Sequence, residues 1–439
     1  VSTVPQVAAH PPASASIPAP APAPLVAPSP APAPAPLVAP SPAPAATPVR
    51  AASPSSSAVG AATGLLDAFR AGDRFLATPT RTLLAHGVLS EVPHGADPIA
   101  ERVAGTLAEA RAGRHAAPVV MGAIPFDQDA PAALVVPETV RTGPALASDP
   151  LVALPADAPR AGAWTVRPYP APEDYAKGVA AAVDRMWNGE FSKVVLARTL
   201  EVTGPGELDI AAMVRRLARR DPCGYTFALP TRPGRTLLGA SPELLVSRRG
   251  NQLVSNPLAG STPRSDDLAE DVRRAAALLE SAKDLHEHAV VVDAVHQAMA
   301  PYCSTIDVPA RPSLIRTAAM WHLSTTVTGT LAHPEVSALE IASSLHPTPA
   351  VCGTPTPLAR EVIRETEPFD RGFFTGIVGW GDADGNGEWV VTIRCAEAEE
   401  RMLRLYAGAG VVAASVPEDE TAETAAKFRT FLHAVGAEL

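Results

Sequence analysis

Apolar positions recur at helical spacing over 171–190, where Tyr175, Val179, Val183 and Met186 share one face and acidic residues fill the first turn, the sign a helix dipole favours. A β-branched run, "FSKVVLARTLEV", follows at once and predicts a strand. A second helix is predicted at about 207–220, with Ile210, Val214 and Leu217 on one side. "RTLLGASPELLVSRRGNQLVSNPLAGSTPR" reads as strands separated by Gly and Pro turns. One long helical stretch is predicted from about 266 to 299. "FFTGIVGW", "GEWVVTIRCAE" and "RMLRLYAGAGVV" then predict strands, and a last helix runs from about 418 to 435. Long helices alternate with groups of strands without a βαβ rhythm, so the expected class is α+β.

Ahead of this patterned part the chain changes character. "APAPLVAPSPAP" occurs in tandem at 21–32 and 33–44, and no charged residue precedes Arg50. So much proline removes backbone donors and favours extended conformations that bury no core, so 1–57 is expected to be a disordered tail. It has neither the basic start nor the continuous apolar core of a secretory signal. Ala/Pro-rich connections near 127–170 suggest an N-terminal portion, 58–165, ahead of a main domain, 166–439.

A net charge of −10 over 439 residues argues against nucleic-acid binding, which needs a concentrated basic surface. No apolar run is long enough to span a bilayer. Cys223, Cys303, Cys352 and Cys395 form no C-x-x-C pair, which fits a reduced, cytoplasmic location.

Several motifs fail on inspection. "KDLHEHAV" (283–290) places His286 and Glu287 as in a zinc-binding H-E-x-x-H helix, but Val290 stands where the second imidazole belongs. His286 and His288, two apart, point away from each other on a helix. What remains is a carboxylate suited to a magnesium-type site. "YAGAGVVA" contains Gly408, Gly410 and Ala413 in dinucleotide-site spacing, yet only one helix's worth of chain follows, so these glycines are expected to allow close backbone approach. "DADGNG" (382–387) starts like a calcium loop, but its twelfth position is Ile393, so a hairpin turn is expected. No G-x-S-x-G elbow occurs.

Three sets of residues have chemical potential. Lys193 alternates onto one strand face with Val195 and Ala197; it is either a strand-end lysine reaching solvent or a dehydrated lysine usable as a base. Glu243, after a Gly/Pro turn in an apolar strand, could be held protonated as an acid. Glu420, Glu423 and Lys427 share one helical face, which a solvated i, i+4 ion pair would also explain.

In order along the chain, "KVVLAR", "GASPELL", "NPLAGSTPR", "KDLHEH", "LHPTPAVCGTP", "EPFDRGFFTGIVGW", "GNGEWVVTIRC", "YAGAGVV" and "ETAAKF" closely resemble the chorismate-utilising enzymes over about 170–436. The resemblance implies layered mixed β-sheets flanked by helices around a buried, Mg²⁺-dependent chorismate site. It implies Mg²⁺ held by Glu287 and Glu423 with Glu420 nearby, and Arg394 on a substrate carboxylate. Lys427, Gly408 and Gly410 would complete the anion site, while Gly260, Ser261, His346 and Ala350 would shape or line the pocket. Lys193 would deprotonate a water attacking ring C2, and Glu243 would protonate the hydroxyl leaving C4. Because the ammonia-using members of that family do not place a lysine at the position of Lys193, the resemblance implies water as nucleophile, so no glutaminase subunit and a monomer are expected. Ala350 and Val351 resemble the isochorismate-forming members, whereas threonine at 350 would suggest the salicylate-forming ones. The loop also resembles the members that feed 2,3-dihydroxybenzoate siderophores. Salicylate synthesis, a menaquinone role and a non-catalytic protein of the same fold are the alternatives.

Overall fold

A computed structural model describes residues 59–437 apart from 114, 116, 157 and 159–162. The expected disordered tail lies outside the described residues. Two large sheets, of ten and nine strands, lie face to face, with a small three-stranded sheet beside them. Leu76, Met121, Phe227, Leu237, Val378, Val390 and Tyr406 fill the space between the large sheets. Outside the ten-stranded sheet pack the helices Thr63–Ala68, Ile210–Arg220 and Pro417–Val435; outside the nine-stranded sheet pack Ile99–Ala112, Ala282–Met299 and Ala338–Leu345. Central strands are therefore buried on both faces, as all five residues of Gly387–Val391 are, the charged Glu388 included. This layering agrees with the α+β expectation.

Residues 58–165 supply strands to both large sheets. Arg74–Ala77, Thr82–His86 and Thr139–Gly143 extend the first, and Val119–Ile124, Ala133–Val136 and Ser90–Glu91 extend the second. Among the described residues no helix is long and apolar enough to cross a membrane.

Two predicted elements are divided. The helical stretch 266–299 is two helices, Leu268–Glu280 and Ala282–Met299, parted at Ser281, whose side chain accepts from the Asp284 amide and caps the second. The strand predicted in "GEWVVTIRCAE" is two strands, Gly387–Val391 in the second sheet and Cys395–Glu399 in the first. Between them Arg394 has φ 50°, a left-handed conformation unusual for a residue with a side chain. The chain makes a matching crossing earlier, from Arg235–Ser241 in the first sheet to Leu244–Arg249 in the second, through Pro242 and Glu243. "DADGNG" is the expected turn: the Asp382 carboxylate accepts from the amides of Asp384 and Asn386, closing the hairpin between Ile377–Asp382 and Gly387–Val391.

Candidate active site

The two crossings bring Glu243 and Arg394 into one pocket with residues from six other elements. Its walls include Glu243, Gly260, Ser261, Lys283, Asp284, Glu287, His322, Ala350, Thr375, Arg394, Gly408, Gly410, Glu420, Glu423 and Lys427. The floor is the antiparallel pair Lys193–Thr203 and Met402–Val412, in which Val195 faces Gly410 and Ala197 faces Gly408. Side-chain alternation then puts Lys193 on the pocket side and turns Val194 and Leu196 toward the helices Pro172–Trp187 and Thr356–Thr366.

Lys193 is 2% exposed, so its ammonium does not reach solvent. It lies just behind the pocket lining, 2.8 Å from the Glu287 carboxylate. That contact is an ion pair without hydrogen-bond alignment, because the enclosed Nζ has no aligned acceptor. Glu287 reaches it over Gly410, where a Cβ would collide with the Glu287 carboxylate and crowd the Lys193 chain. The close approach expected of the glycines is thus real at Gly410. A Gly410→Ala enzyme is expected to fold with stability within about 1 kcal/mol of the parent, because the displaced group is the free end of a side chain. Its turnover should fall about tenfold as Glu287 moves off Lys193. Thermal melting and steady-state rates check both parts.

Glu243 is 3% exposed, and burial raises its pKa to about 7 against the opposing pull of the Leu258 amide and of the Lys193 and Arg394 charges. The folded protein therefore keeps a proton that the unfolded chain releases near 4.5. Its contribution to stability is fully present below that value and is lost as pH rises toward 7. At pH 8 a Glu243→Gln protein should be more stable than the parent by up to about 3 kcal/mol, and the gap should close near pH 4.5. Denaturant melts at the two pH values check this.

Arg394 is buried, which lowers its pKa to about 10, still a full positive charge at neutrality. Its guanidinium lies 3.4 Å from His322 Nε2. Burial, followed by the charges of Arg394 and Lys427, keeps His322 neutral. Lys427 donates to the Gly408 carbonyl at 2.8 Å and pairs with Glu423 at 2.5 Å. Two cations and a neutral imidazole at one end of a pocket can hold carboxylates.

The acidic groups come from two helices. Ala282–Met299 supplies Asp284 and Glu287, and Pro417–Val435 supplies Glu420 and Glu423. Among the described residues no three metal-ligating side chains converge as a ready coordination site. Each glutamate instead holds a lysine: Glu287 with Lys193, Glu420 with Lys283 at 3.1 Å, and Glu423 with Lys427. Ser261 also donates to Glu423, at 3.2 Å. The donor set nevertheless fits a hard cation. Burial first, and then the negative charge of Glu423, raises the pKa of Glu420; burial and then Glu287 raise that of Asp284. Carboxylates that repel one another in an oxygen-only cluster suit Mg²⁺.

One expected lining residue sits elsewhere. His346 is buried behind the wall, with Nε2 2.7 Å from the Thr375 carbonyl and Nδ1 3.0 Å from the Gln128 side chain. Thr375 lines the pocket in its place. Of the two histidines beside Glu287, His286 is exposed, while His288 is fixed between the Ala259 carbonyl and Thr325 Oγ1. Sequence reading missed Lys283, Asp284, His322 and Thr375. The first two lie inside the "KDLHEH" motif, one helical turn before Glu287, and could have been found there.

The chain belongs to the chorismate-binding enzyme family: residues 153–436 match the sequence profile described as chorismate binding enzyme. Isochorismate synthase DhbC of Bacillus subtilis (strain 168) is 55% identical over 389 residues, spanning 86% of this chain and 97% of that protein. Vibriobactin-specific isochorismate synthase of Vibrio cholerae serotype O1 is 44% identical over 369 residues, 83% of this chain and 92% of the relative. The crystal structure of DhbC from Bacillus anthracis, 50% identical, superposes with a TM-score of 0.81 and covers 86% of this chain and 100% of that one.

Proposed function

We propose that this enzyme is an isochorismate synthase that converts chorismate to isochorismate, feeding the branch that leads to 2,3-dihydroxybenzoate. The observation that carries the reading is the pairing, around one pocket, of an enclosed lysine with a carboxyl held protonated near neutrality. A displacement with a base at one end and an acid at the other needs two such groups with separated proton affinities. The two DhbC relatives and the vibriobactin-specific enzyme support the product and the siderophore branch.

Arg394 and Lys427 bind the substrate carboxylates, and the backbone at Gly408 and Gly410 lets the ring lie close to the sheet. Glu287, Glu420 and Glu423 would hold Mg²⁺, which would neutralise the ring carboxylate. With substrate bound, Lys193 passes the ammonium proton of its Glu287 pair to solvent and, as the neutral amine, takes a proton from the attacking water as the new C2–O bond forms. The ring double bonds shift and the C4–O bond breaks. Glu243 gives its proton to the departing hydroxyl, which leaves as water, so one water enters and one leaves. Proton return from Lys193 to Glu243 through solvent resets the site.

Purified protein incubated with chorismate and Mg²⁺ should yield isochorismate without stoichiometric pyruvate. Salicylate and pyruvate as the main products would replace this reading with salicylate synthesis.

A further inference from the structure

The strand Lys193–Thr203 has an interrupted edge. Gly353–Thr354 pairs with Val194 and Lys193, and Thr165–Tyr169 pairs with Thr203 to Thr199. Between these partners, the Val195 amide reaches the Cys352 carbonyl, and among the described residues no strand continues the ladder to Ala197. Buried backbone groups left in such a gap require partners from elsewhere. Two side chains supply them. Arg371 Nη2 donates to the Val195 carbonyl at 2.7 Å, and the Ala197 amide donates to Glu367 Oε1 at 2.8 Å.

The two side chains are joined by Arg371 Nε to Glu367 Oε2 at 2.8 Å and by Nη2 to Oε1 at 2.5 Å, with side chains 3% and 2% exposed. Nη1 of the same guanidinium donates to the Val351 carbonyl at 2.8 Å and to Thr375 Oγ1 at 3.2 Å. Phe126 lies against its face, 4.8 Å from the guanidinium carbon. Val195, Val351 and Thr375 all line the pocket, but Glu367 and Arg371 do not. One planar fork therefore ties together the floor beside Lys193, the loop that carries Ala350, and the wall at Thr375.

We infer that Glu367 and Arg371 are positioning residues that stand in for a missing strand and set the placement of Lys193 against the pocket. A buried ion pair is an unusual choice for stability alone, since apolar residues of similar volume often serve as well or better. Its use here is directional: a carboxylate accepts from one backbone amide while a rigid guanidinium donates to two carbonyls in different walls. The inference rests on the proposed role of Lys193 as base, and its tests separate the two.

The double variant Glu367→Leu/Arg371→Met removes both charges together and leaves neither partner unpaired. It is expected to fold but to melt below the parent, because the Ala197 amide and the Val195 and Val351 carbonyls lose their buried partners. Chorismate consumption should show kcat reduced about 10- to 100-fold with KM within about threefold, the pattern of a displaced reacting group with substrate binding intact. A crystal structure of the variant should show Lys193 and residues 195–198 shifted by more than about 0.5 Å, the tolerance within which reacting groups are held. A folded variant with parental kcat, a rise in KM alone, or an unmoved strand would each overturn the inference. If the double variant does not fold, Arg371→Lys retains the charge without the fork, and the same kinetic loss is expected from it. Parental kcat in Arg371→Lys, or failure of both proteins to fold, assigns the pair a purely structural role. The strand displacement is read without turnover, so it stands or falls apart from the identity of the product.

Discussion

Replacing Lys193 with alanine is expected to reduce kcat by about 10²- to 10⁴-fold, the usual contribution of a positioned proton-transfer group. The enzyme should stay folded, because Lys193 adds no aligned hydrogen bond to the interior and its partner Glu287 borders the open pocket. Affinity for chorismate should change little, since Arg394 and Lys427 hold the carboxylates. Circular dichroism, substrate binding and single-turnover rates on the same preparation distinguish this outcome from general damage. Retention of parental turnover would remove Lys193 from the reaction.

The second large effect belongs to Glu243. A general acid must carry its proton, and the pKa of about 7 predicts that kcat/KM falls as pH rises through that region. Glu243→Gln keeps the shape and an amide but donates no acidic proton. It should lose about 10²-fold or more in kcat and lose the alkaline limb of the profile with it. The same variant is predicted above to be more stable than the parent at pH 8. Lower activity with higher stability in one protein is the signature of a buried ionisable group kept for chemistry. A Glu243→Gln enzyme that was less stable at pH 8 and retained its alkaline limb would contradict both the burial argument and the acid assignment.

The fold class was legible because the periodicities are strong. The helices at Pro172–Trp187 and Pro417–Val435 fall within a residue or a few of their apolar patterns, and the strand Lys193–Thr203 matches its β-branched run. The candidate site was legible only as far as ordered motifs go, whose residues lie more than a hundred positions apart and meet at one pocket, as Glu287 and Glu423 do. Local patterning could not reveal the crossings at Pro242–Glu243 and Thr392–Arg394. The stretch "GEWVVTIRC" is buried nearly throughout and holds no Gly or Pro after Gly387, so it does not mark where the chain leaves one sheet for the other. It is this break that turns Arg394 into the pocket. His346 illustrates a different limit: a motif places a residue near a site but does not say on which side of the wall its ring falls. Lys193 shows a third, because its charge is met inside the protein by Glu287, which arrives from a helix about ninety residues further along the chain.

The central claim is tested most directly by turning over chorismate with Mg²⁺ in ¹⁸O-labelled water and weighing the product. Water attack at C2 with loss of the C4 hydroxyl predicts isochorismate with one ¹⁸O in place of one ¹⁶O. Unlabelled isochorismate, salicylate with pyruvate, or no conversion of chorismate would contradict it.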